Sequence, residues 1–277
     1  MIFKKTISFL GPIGSYSYLA TMKYIEKFNK KYYLKEHKNF QKIFDDLKNY
    51  KSHYAIIPIQ NNSSGFINET YHLLCNSKLC ISGEFHLLIQ HCLIANNNTS
   101  IESIQKIYSH SQPFAQCSQF LQNFTRWKLK YTNSTSEAMQ IISKINNNHV
   151  AAIGNPISAK IYNLKIILSN ISNKINNYTK FLILSNEKKN IIDNRNVKTV
   201  LILLKKTIVF SEIVSIFQKY NLKIKEIKKN YQNTFQKTIY IEIENHIQSE
   251  NIQNVINILH KKNILIKFLS CYKKLIV

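Results

Sequence analysis

The sequence predicts an α/β protein made of two units with different architectures. In residues 1–185, short apolar runs of strand length alternate with apolar residues at helical spacing, which is typical of a mostly parallel α/β arrangement. Residues 185–196, SNEKKNIIDNRN, are polar and charged, so we place the domain boundary there. The pattern that follows is strand, helix, two strands, helix and strand, which is the ferredoxin-like βαββαβ order.

The predicted strands of the first unit end in turns rich in small polar residues. This pattern recurs along the chain, after Leu10, Ile59, Ser109 and Ile153. In open α/β sheets, ligands bind at the carboxyl ends of the strands, so the recurring turns predict a binding site. The clearest example is YAIIPIQNNSSG (54–65), although the same residues also make an ordinary turn.

Capping signals mark the starts of several helices. After the strand TISFL, Ser15 or Ser17 is predicted to cap a helix whose backbone N–H groups would face an anion. Ser134 and Glu137 have the spacing of a capping box. Residues 81–95 predict a long strand, or a pair of strands that crosses between lobes. This segment contains His86 and His91, for which we favour ordinary packing or polar contacts over a metal pair.

Composition argues against several classes of protein. The formal net charge of +23 would suit a nucleic-acid partner, but the only arginines are Arg126 and Arg195 and the lysines are scattered, so we expect no nucleic-acid binding. The positive field would still attract an anionic substrate. An apolar run of about 18 residues is absent, so we expect no membrane span. The five cysteines form no C-x-x-C pair, which favours reduced thiols and a cytoplasmic location.

Several motifs together resemble the prephenate dehydratase family. They are, in order, GPIGSYS, IPIQNNSSG, YSHSQPFAQCSQFL, STSEAM, VAAIG and NYTKF. The resemblance is specific over residues 6–184, whereas residues 197–277 resemble the ACT domain by pattern more than by motif. It is closest to the dehydratase and regulatory parts of the bifunctional chorismate mutase–prephenate dehydratase, the P-protein. Because the chain opens on the first dehydratase strand, we expect the chorismate mutase domain to be missing.

The resemblance implies a fold like that of the type II periplasmic binding proteins, with two α/β lobes beside a cleft. Lobe one is expected at residues 1–83 and 170–185, and lobe two at residues 84–169. An ACT-like domain is expected at residues 197–277. The resemblance further implies a homodimer or homotetramer that uses no metal and no cofactor.

The implied reaction converts prephenate to phenylpyruvate, water and carbon dioxide in phenylalanine biosynthesis, which is the work of a carbon–oxygen lyase. Thr179 matches the family's essential threonine and is expected to hydrogen-bond the departing hydroxyl. Lys180 and Phe181 match the arginine and phenylalanine that follow it, and Lys180 is expected to act with Thr179 and to contact a substrate carboxylate. The other residues expected to bind substrate are Asn61, Gln60, Ser15, Ser17, Gln112 and Thr135.

Two departures from the family pattern leave other functions open. The family usually has Glu where this chain has Gln60, and Arg where it has Lys180. A lysine keeps the charge but not the two-pronged contact with a carboxylate. The alternatives are a non-catalytic binding protein of the same fold and an arogenate dehydratase.

A third departure concerns regulation. In the family, phenylalanine binds between paired ACT domains and inhibits the enzyme. The two motifs of that site align here with Ile208-Val209-Phe210 and Lys228-Lys229-Asn230-Tyr231. β-Branched side chains replace a glycine turn, and lysines replace a Glu-Ser pair. We therefore expect a domain that dimerises but no longer senses phenylalanine.

Overall fold

A computed structural model describes residues 5–29, 31–145, 147–187, 197–205, 209–230, 237–273 and 275. The first part of the chain forms β1 (Lys5–Leu10), α1 (Tyr16–Phe28), β2 (Tyr32–His37), α2 (Phe40–Lys48), β3 (Tyr54–Asn61), β4 (Gly65–Phe66), α3 (Asn68–Asn76) and β5 (Cys80–Leu88). The middle part forms β6 (Cys92–Ala95), β7 (Lys106–Ser109), α4 (Ser111–Gln116), α5 (Ser118–Gln122), β8 (Lys128–Tyr131), α6 (Thr135–Ile145), β9 (Val150–Gly154), α7 (Pro156–Ile161) and β10 (Lys165–Leu168). The last part forms β11 (Tyr178–Ser185), β12 (Val197–Lys205), α8 (Phe210–Lys219), β13 (Ile224–Asn230), β14 (Lys237–Ile243), α9 (Glu250–Lys261) and β15 (Leu265–Lys273).

The first lobe is a sheet with the strand order β2-β1-β3-β11-β5, and the short β4 pairs with β3. Strands β1, β2 and β3 are parallel, whereas β11 runs antiparallel to both β3 and β5. Side chains of a strand alternate between the two faces of its sheet. One face packs on α1 around Ile56, Phe85 and Phe181, and the other packs on α2 and α3 around Ile57 and Leu182. Both faces are therefore apolar, as continuous buried strands require.

The second lobe is a sheet with the order β10-β6-β9-β7-β8. Strands β7, β8 and β9 are parallel, and β6 joins β9 and β10 in antiparallel pairs. One face packs on α6 around Met139 and Ile142, and the other packs on α4 and α5 around Phe114. The predicted two-lobed α/β fold is confirmed.

The chain crosses between the lobes twice, once after β5 and once before β11. The predicted boundary at residue 83 is too early, because β5 pairs with β11 as far as Leu88 and belongs wholly to the first lobe. The segment 81–95 is the expected strand pair, with β5 in one sheet and β6 in the other. The second lobe thus begins with β6 and ends with β10.

The C-terminal domain, residues 197–273, has the predicted βαββαβ order and an antiparallel sheet in the order β13-β14-β12-β15. One face of this sheet packs on α8 and α9 around Leu203, Phe217 and Val255. The other face packs on the first lobe, where Ile202 and Tyr240 join the core built on α2 and α3. The C-terminal domain therefore lies against the sheet that carries β11.

Two further findings concern features that the sequence addresses. None of the five cysteines, all of which the structure describes, takes part in a disulfide. Among the described helices, none combines the length and the apolar character that crossing a bilayer requires.

Candidate functional site

A cleft of about 1040 Å³ lies between the two lobes. The polar turns after β1, β3 and β7 line it, together with the start of α6. Hydrogen bonds join the lobes beside the cleft: Gln112 Nε2 donates to Ser64 Oγ (2.6 Å), and Asn155 Nδ2 donates to the Gly14 carbonyl (2.7 Å). Turns that are distant in sequence therefore meet around one cavity.

Thr179 lies on the cleft face of β11, opposite Asn61 of the neighbouring strand β3. The Asn61 amide group donates to Thr179 Oγ1 over 3.0 Å. Thr179 Oγ1 thus serves as an acceptor toward the protein. Because a hydroxyl has one proton to give, that proton is left for a group in the cleft.

The orientation of the Asn61 amide is fixed by the backbone. Its oxygen accepts from the N–H groups of Ser63 (2.9 Å) and Ser64 (3.0 Å), which only an oxygen can do. Its nitrogen must therefore face the other way, toward Thr179 Oγ1, Asn177 Oδ1 (2.7 Å) and the Tyr178 carbonyl (3.1 Å). The turn after β3 thereby decides that Thr179 accepts from Asn61.

A chain of side-chain hydrogen bonds continues from Asn61 into the second lobe. Asn177 Nδ2 donates to Gln116 Oε1 (3.1 Å), and the same oxygen lies 2.8 Å from His91 Nε2. At the far end, His91 Nδ1 lies 2.8 Å from the Tyr16 hydroxyl. The chain links α1, the two crossing segments and α4 through neutral groups.

His91 is only 1% exposed, and burial lowers its pKa below the ordinary value of 6.5, although the bond to Gln116 opposes this shift. Both ring nitrogens lie in polar contacts: Nε2 faces Gln116 Oε1, and Nδ1 faces the Tyr16 hydroxyl, which also donates to the Gln90 carbonyl (2.8 Å). His91 is thus a neutral, positioned member of the cleft wall.

Five more of the predicted residues line the cleft. Ser15 caps α1: its hydroxyl accepts from the Tyr18 N–H (3.2 Å) and donates to the Leu10 carbonyl (3.0 Å). Phe181 lines the cleft and stacks on Phe85 with ring centroids 5.8 Å apart. The other three are Ser17, Gln112 and Thr135.

Two predicted residues do not line the cleft, and their assignments are corrected. Lys180 follows Thr179 in a β-strand, so its side chain projects from the opposite face of the sheet. It meets Glu84 (2.9 Å) and Glu242 (2.6 Å) at the contact with the C-terminal domain. Gln60 pairs in register with Lys180 and donates to Glu226 of the same domain (3.5 Å). Neither side chain is placed to touch a substrate in this cleft.

Lys180 belongs to a group of four charged residues that we call the interdomain ion cluster: the buried Glu84, Lys180 and Glu242, and the partly buried Lys198. Lys198 Nζ lies 2.5 Å from Glu84 and 2.6 Å from Glu242, so each ammonium contacts both carboxylates. Both carboxylates are 0% exposed. Two lysines and two glutamates balance the charge, which buried ions require.

The pKa directions agree with this geometry. Burial alone would raise the pKa of the Glu84 carboxyl, but the ammonium groups of Lys180 and Lys198 outweigh burial and hold it below its ordinary value. Burial would lower the pKa of Lys198, but the carboxylates of Glu242 and Glu84 raise it above its ordinary value. The opposite charges thus hold Glu84 and Lys198 in their charged forms.

Positive charge in the cleft is sparse. Among the described residues that line it, Lys38 is the one lysine, and no arginine is present. The carboxylates of Glu36 and Glu137 also line the cleft, but they accept from the backbone N–H groups of Ile13 (3.1 Å) and Asn133 (2.7 Å). An anion would therefore meet Lys38 and polar N–H and O–H donors.

Four residues of the hydrogen-bond chain, Tyr16, His91, Gln116 and Asn177, were not predicted as site residues from the sequence. Three of them lie inside the quoted motifs GPIGSYS, YSHSQPFAQCSQFL and NYTKF, so the motifs could have pointed to Tyr16, Gln116 and Asn177. His91 gave no such signal, since its partners Tyr16 and Gln116 are distant in sequence. Within the described part of the chain, no group of three or more His, Cys, Asp or Glu side chains is placed to hold a metal ion.

These observations define a class of protein: two α/β lobes with a polar, threonine-containing cleft between them, joined to a βαββαβ domain. The family model described as prephenate dehydratase matches residues 7–189. The bifunctional chorismate mutase/prephenate dehydratase of Buchnera aphidicola subsp. Baizongia pistaciae (strain Bp) is 43% identical over 272 residues, which cover 96% of this chain and 72% of the relative. That of Buchnera aphidicola subsp. Acyrthosiphon pisum (strain APS) is 38% identical over 269 residues, covering 96% and 70%.

A solved structure agrees with the fold. The prephenate dehydratase of Arthrobacter aurescens, in complex with L-Phe, matches with a TM-score of 0.86 at 19% identity, covering 97% of this chain and 89% of that one. At that identity the match supports the architecture alone. Taken with the family model and the relatives, the result is clear: the chain belongs to the prephenate dehydratase family.

Proposed function

We propose that the protein is a prephenate dehydratase, which converts prephenate to phenylpyruvate, carbon dioxide and water. Family membership is the first support. The observation that carries the proposal is the Thr179 hydroxyl, which receives a hydrogen bond from Asn61 and keeps its proton for the cleft. A departing hydroxyl needs a donor of this kind.

The chemical step needs few protein groups besides this donor. The electron pair of the bond between the ring and its carboxylate enters the ring, carbon dioxide leaves, and the C–O bond at the far side of the ring breaks. The departing oxygen takes that bond's electrons and one proton, which solvent supplies, and leaves as water. Thr179 donates a hydrogen bond to this oxygen as its charge develops, and aromatisation of the ring drives the step.

The second requirement is to hold the substrate's two carboxylates. The first turn of α1 offers the backbone N–H groups of Tyr16 and Ser17, which have no acceptor within the helix. Lys38 supplies a positive charge in the same cleft. Lys180 takes no part in this contact, since its ammonium is committed to Glu84 and Glu242.

A turnover assay on the purified protein tests the proposal. Phenylpyruvate absorbs in strong alkali, so its appearance from prephenate is read directly, and arogenate is assayed in parallel through the phenylalanine formed. We expect turnover of prephenate. Prephenate binding without turnover would support the non-catalytic binding protein instead, and faster turnover of arogenate would assign the protein to that substrate.

Several further properties belong to the same proposal. The βαββαβ domain acts as an ACT-like domain through which the chain forms a homodimer or homotetramer, and the enzyme works in the cytoplasm without a cofactor. Insensitivity to phenylalanine is supported by Lys229, whose ammonium lies 4.1 Å from the centroid of Phe210 at the start of α8. Lys228 instead faces the first lobe, over Phe66 (4.4 Å). Ile208 and Tyr231 lie outside the described residues.

A further inference from the structure

The interdomain ion cluster lies directly behind the proposed catalytic threonine. Lys180 is the residue after Thr179, and the two side chains leave β11 on opposite faces of one sheet. The Lys180 ammonium is held at 2.6 Å by Glu242 of the C-terminal domain and at 2.9 Å by Glu84 of β5. The backbone that carries Thr179 is thus anchored from the side opposite the cleft.

The pairing of β11 with β3 is irregular next to Thr179, so a further contact would help to fix this part of the strand. The register between β3 and β11 shifts between Lys180 and Phe181, and such an irregularity interrupts the regular ladder of backbone bonds. Thr179 is the second residue of β11 and lies between the start of the strand and this shift. Pairing with Leu87 of β5 is regular at Thr179, so the irregularity affects its backbone pairing on the β3 side.

The anchor is built to be rigid. Lys198 closes the cluster by contacting both carboxylates, and the Tyr240 hydroxyl donates to Glu242 Oε2 over 3.2 Å. The Tyr272 hydroxyl shares its proton between Glu84 Oε2 (3.1 Å) and Glu242 Oε2 (3.2 Å). Burial raises the pKa of both tyrosines, so both stay protonated as donors. Because each charge contacts two opposite charges and both carboxylates are fully buried, the cluster has little freedom to rearrange.

We propose that the C-terminal domain completes the dehydratase site by positioning Thr179 through the interdomain ion cluster. Glu242 and Lys198 act as positioning residues: they touch no substrate, but they fix the strand whose next residue carries the donor hydroxyl. The inference rests on the proposed dehydratase function. Its consequence is that the C-terminal domain sets the rate of the chemical step, independently of any ligand that the domain binds.

The test compares Glu242→Gln with Glu244→Gln. Glu244 follows β14 in the same domain and pairs with Lys225 (2.7 Å) on the surface, so its substitution makes the same chemical change away from the cluster. We expect Glu242→Gln to lower kcat for prephenate by about tenfold or more with KM nearly unchanged, because sub-ångström displacement of a catalytic group acts on the chemical step. Glu244→Gln should match the unsubstituted protein.

A double variant separates positioning from stability. Glu242→Gln leaves the ammonium groups of Lys180 and Lys198 with the single carboxylate of Glu84, and this uncompensated charge destabilises the fold. Glu242→Gln combined with Lys198→Met removes one charge of each sign and should recover much of the thermal stability, while the link between Lys180 and the C-terminal domain stays broken. We expect kcat to remain low in this double variant. Recovery of both stability and kcat would overturn the proposal, because it would leave the cluster a purely structural role.

Hydrogen exchange gives a readout that does not depend on activity. In Glu242→Gln, the amides of residues 178–182 should exchange about tenfold faster or more, while those of β9 in the second lobe stay unchanged. Unchanged exchange at 178–182 would overturn the positioning role even if prephenate proves not to be the substrate. Absence of turnover in the unsubstituted protein, combined with the expected exchange, would instead refute the dehydratase function and retain the anchor.

Discussion

The hydrogen bond from Asn61 determines how the Thr179 hydroxyl can act in the cleft. Since the Asn61 amide donates to Thr179 Oγ1, the threonine proton is directed into the cleft rather than into the protein. The orientation of that amide follows in turn from two backbone N–H groups of the turn after β3. A neutral side chain with an ordinary hydroxyl can therefore act as a dedicated donor.

Replacing Thr179 by valine tests this donor directly. Valine keeps the shape and the preference for a strand but has no hydroxyl, so we expect kcat for prephenate to fall by about a hundredfold or more while the fold is retained. Thr179→Ser restores the hydroxyl and should recover part of the rate. Near-normal turnover by the valine variant would remove Thr179 from the mechanism.

Asn61→Asp tests the direction of the bond. An aspartate oxygen in place of the amide nitrogen would accept from Thr179, which would turn its proton away from the substrate. We expect a loss of kcat on the scale of the loss for Thr179→Val, about a hundredfold. Asn62→Asp is the control, because it adds the same charge one residue away without touching Thr179 Oγ1. Equal losses in both variants would mean that the charge, and not the bond, matters.

The buried His91 leads to a prediction about how the stability of the fold depends on pH. Burial lowers its pKa in the folded protein, so below the ordinary value of 6.5 the unfolded chain binds a proton that the folded protein does not. His91 therefore lowers the stability of the fold as the pH falls below about 6.5. Compared with His91→Gln, the unsubstituted protein should lose up to about 1.4 kcal/mol of unfolding free energy per pH unit on the acid side. Urea denaturation across this range checks it, and parallel curves for the two proteins would contradict it.

Lys180 shows what residue-level reasoning from sequence can and cannot provide. The family pattern placed it beside Thr179 in the site, yet neighbours in a strand face opposite sides of the sheet, so the sequence itself held the evidence against a shared cleft. What it could not supply was the partner. Glu84 is far from Lys180 in sequence and meets it through the pairing of β5 with β11, and Glu242 meets it only through the packing of the C-terminal domain.

At the scale of elements, the strongly apolar strands were predictable, whereas the edge strands β2 and β8 were not. β2 and β8 lie at the edges of their sheets, carry lysines and are largely exposed, so they lack the apolar signature of a buried strand. The helical segment after β7 is divided into α4 and α5 at Cys117. The polar turns after β1, β3 and β7 line one cleft, since parallel strands bring their carboxyl ends to one edge of a sheet, whereas the turn after β9 contacts the Gly14 carbonyl beside the cleft.

Lys38 follows β2, an edge strand whose end reaches the cleft, and it carries a prediction for substrate binding. Lys38→Met removes the one lysine among the described cleft-lining residues, so KM for prephenate should rise about tenfold while kcat changes little, as expected for a contact made equally in the ground and transition states. Lys48→Met, at the exposed end of α2, is the matched control. An unchanged KM for Lys38→Met would mean that the backbone N–H groups at the helix starts bind the substrate carboxylates without help from Lys38.

At the scale of the whole molecule, the C-terminal domain is packed onto the first lobe by more than the ion cluster. Lys267 Nζ donates to the carbonyls of Cys75 (2.9 Å) and Ser77 at the end of α3, which completes that helix terminus from another domain. The Tyr71 hydroxyl donates to the Lys228 carbonyl (2.9 Å). The domain is thus part of the first lobe's packing.

Titration with phenylalanine tests the expected insensitivity of this domain. Because the Lys229 ammonium lies over Phe210 at the start of α8, turnover of prephenate should stay flat as phenylalanine rises, and calorimetry should detect no binding heat. The control is the same titration with tyrosine in place of phenylalanine, which measures any general effect of an aromatic amino acid on turnover. Inhibition by phenylalanine at low concentration would show that the pocket is built from other residues.

The position of β11 in the sheet has a consequence for synthesis of the protein. β11 lies between β3 and β5, yet it is the last strand of the first lobe to leave the ribosome, after the whole second lobe. Until then β3 and β5 each present an unpaired, strongly apolar edge, which is the feature that promotes association between chains. Because the second lobe is continuous in sequence, it can fold early and hold its two ends together, so that β11 enters the gap as soon as it emerges.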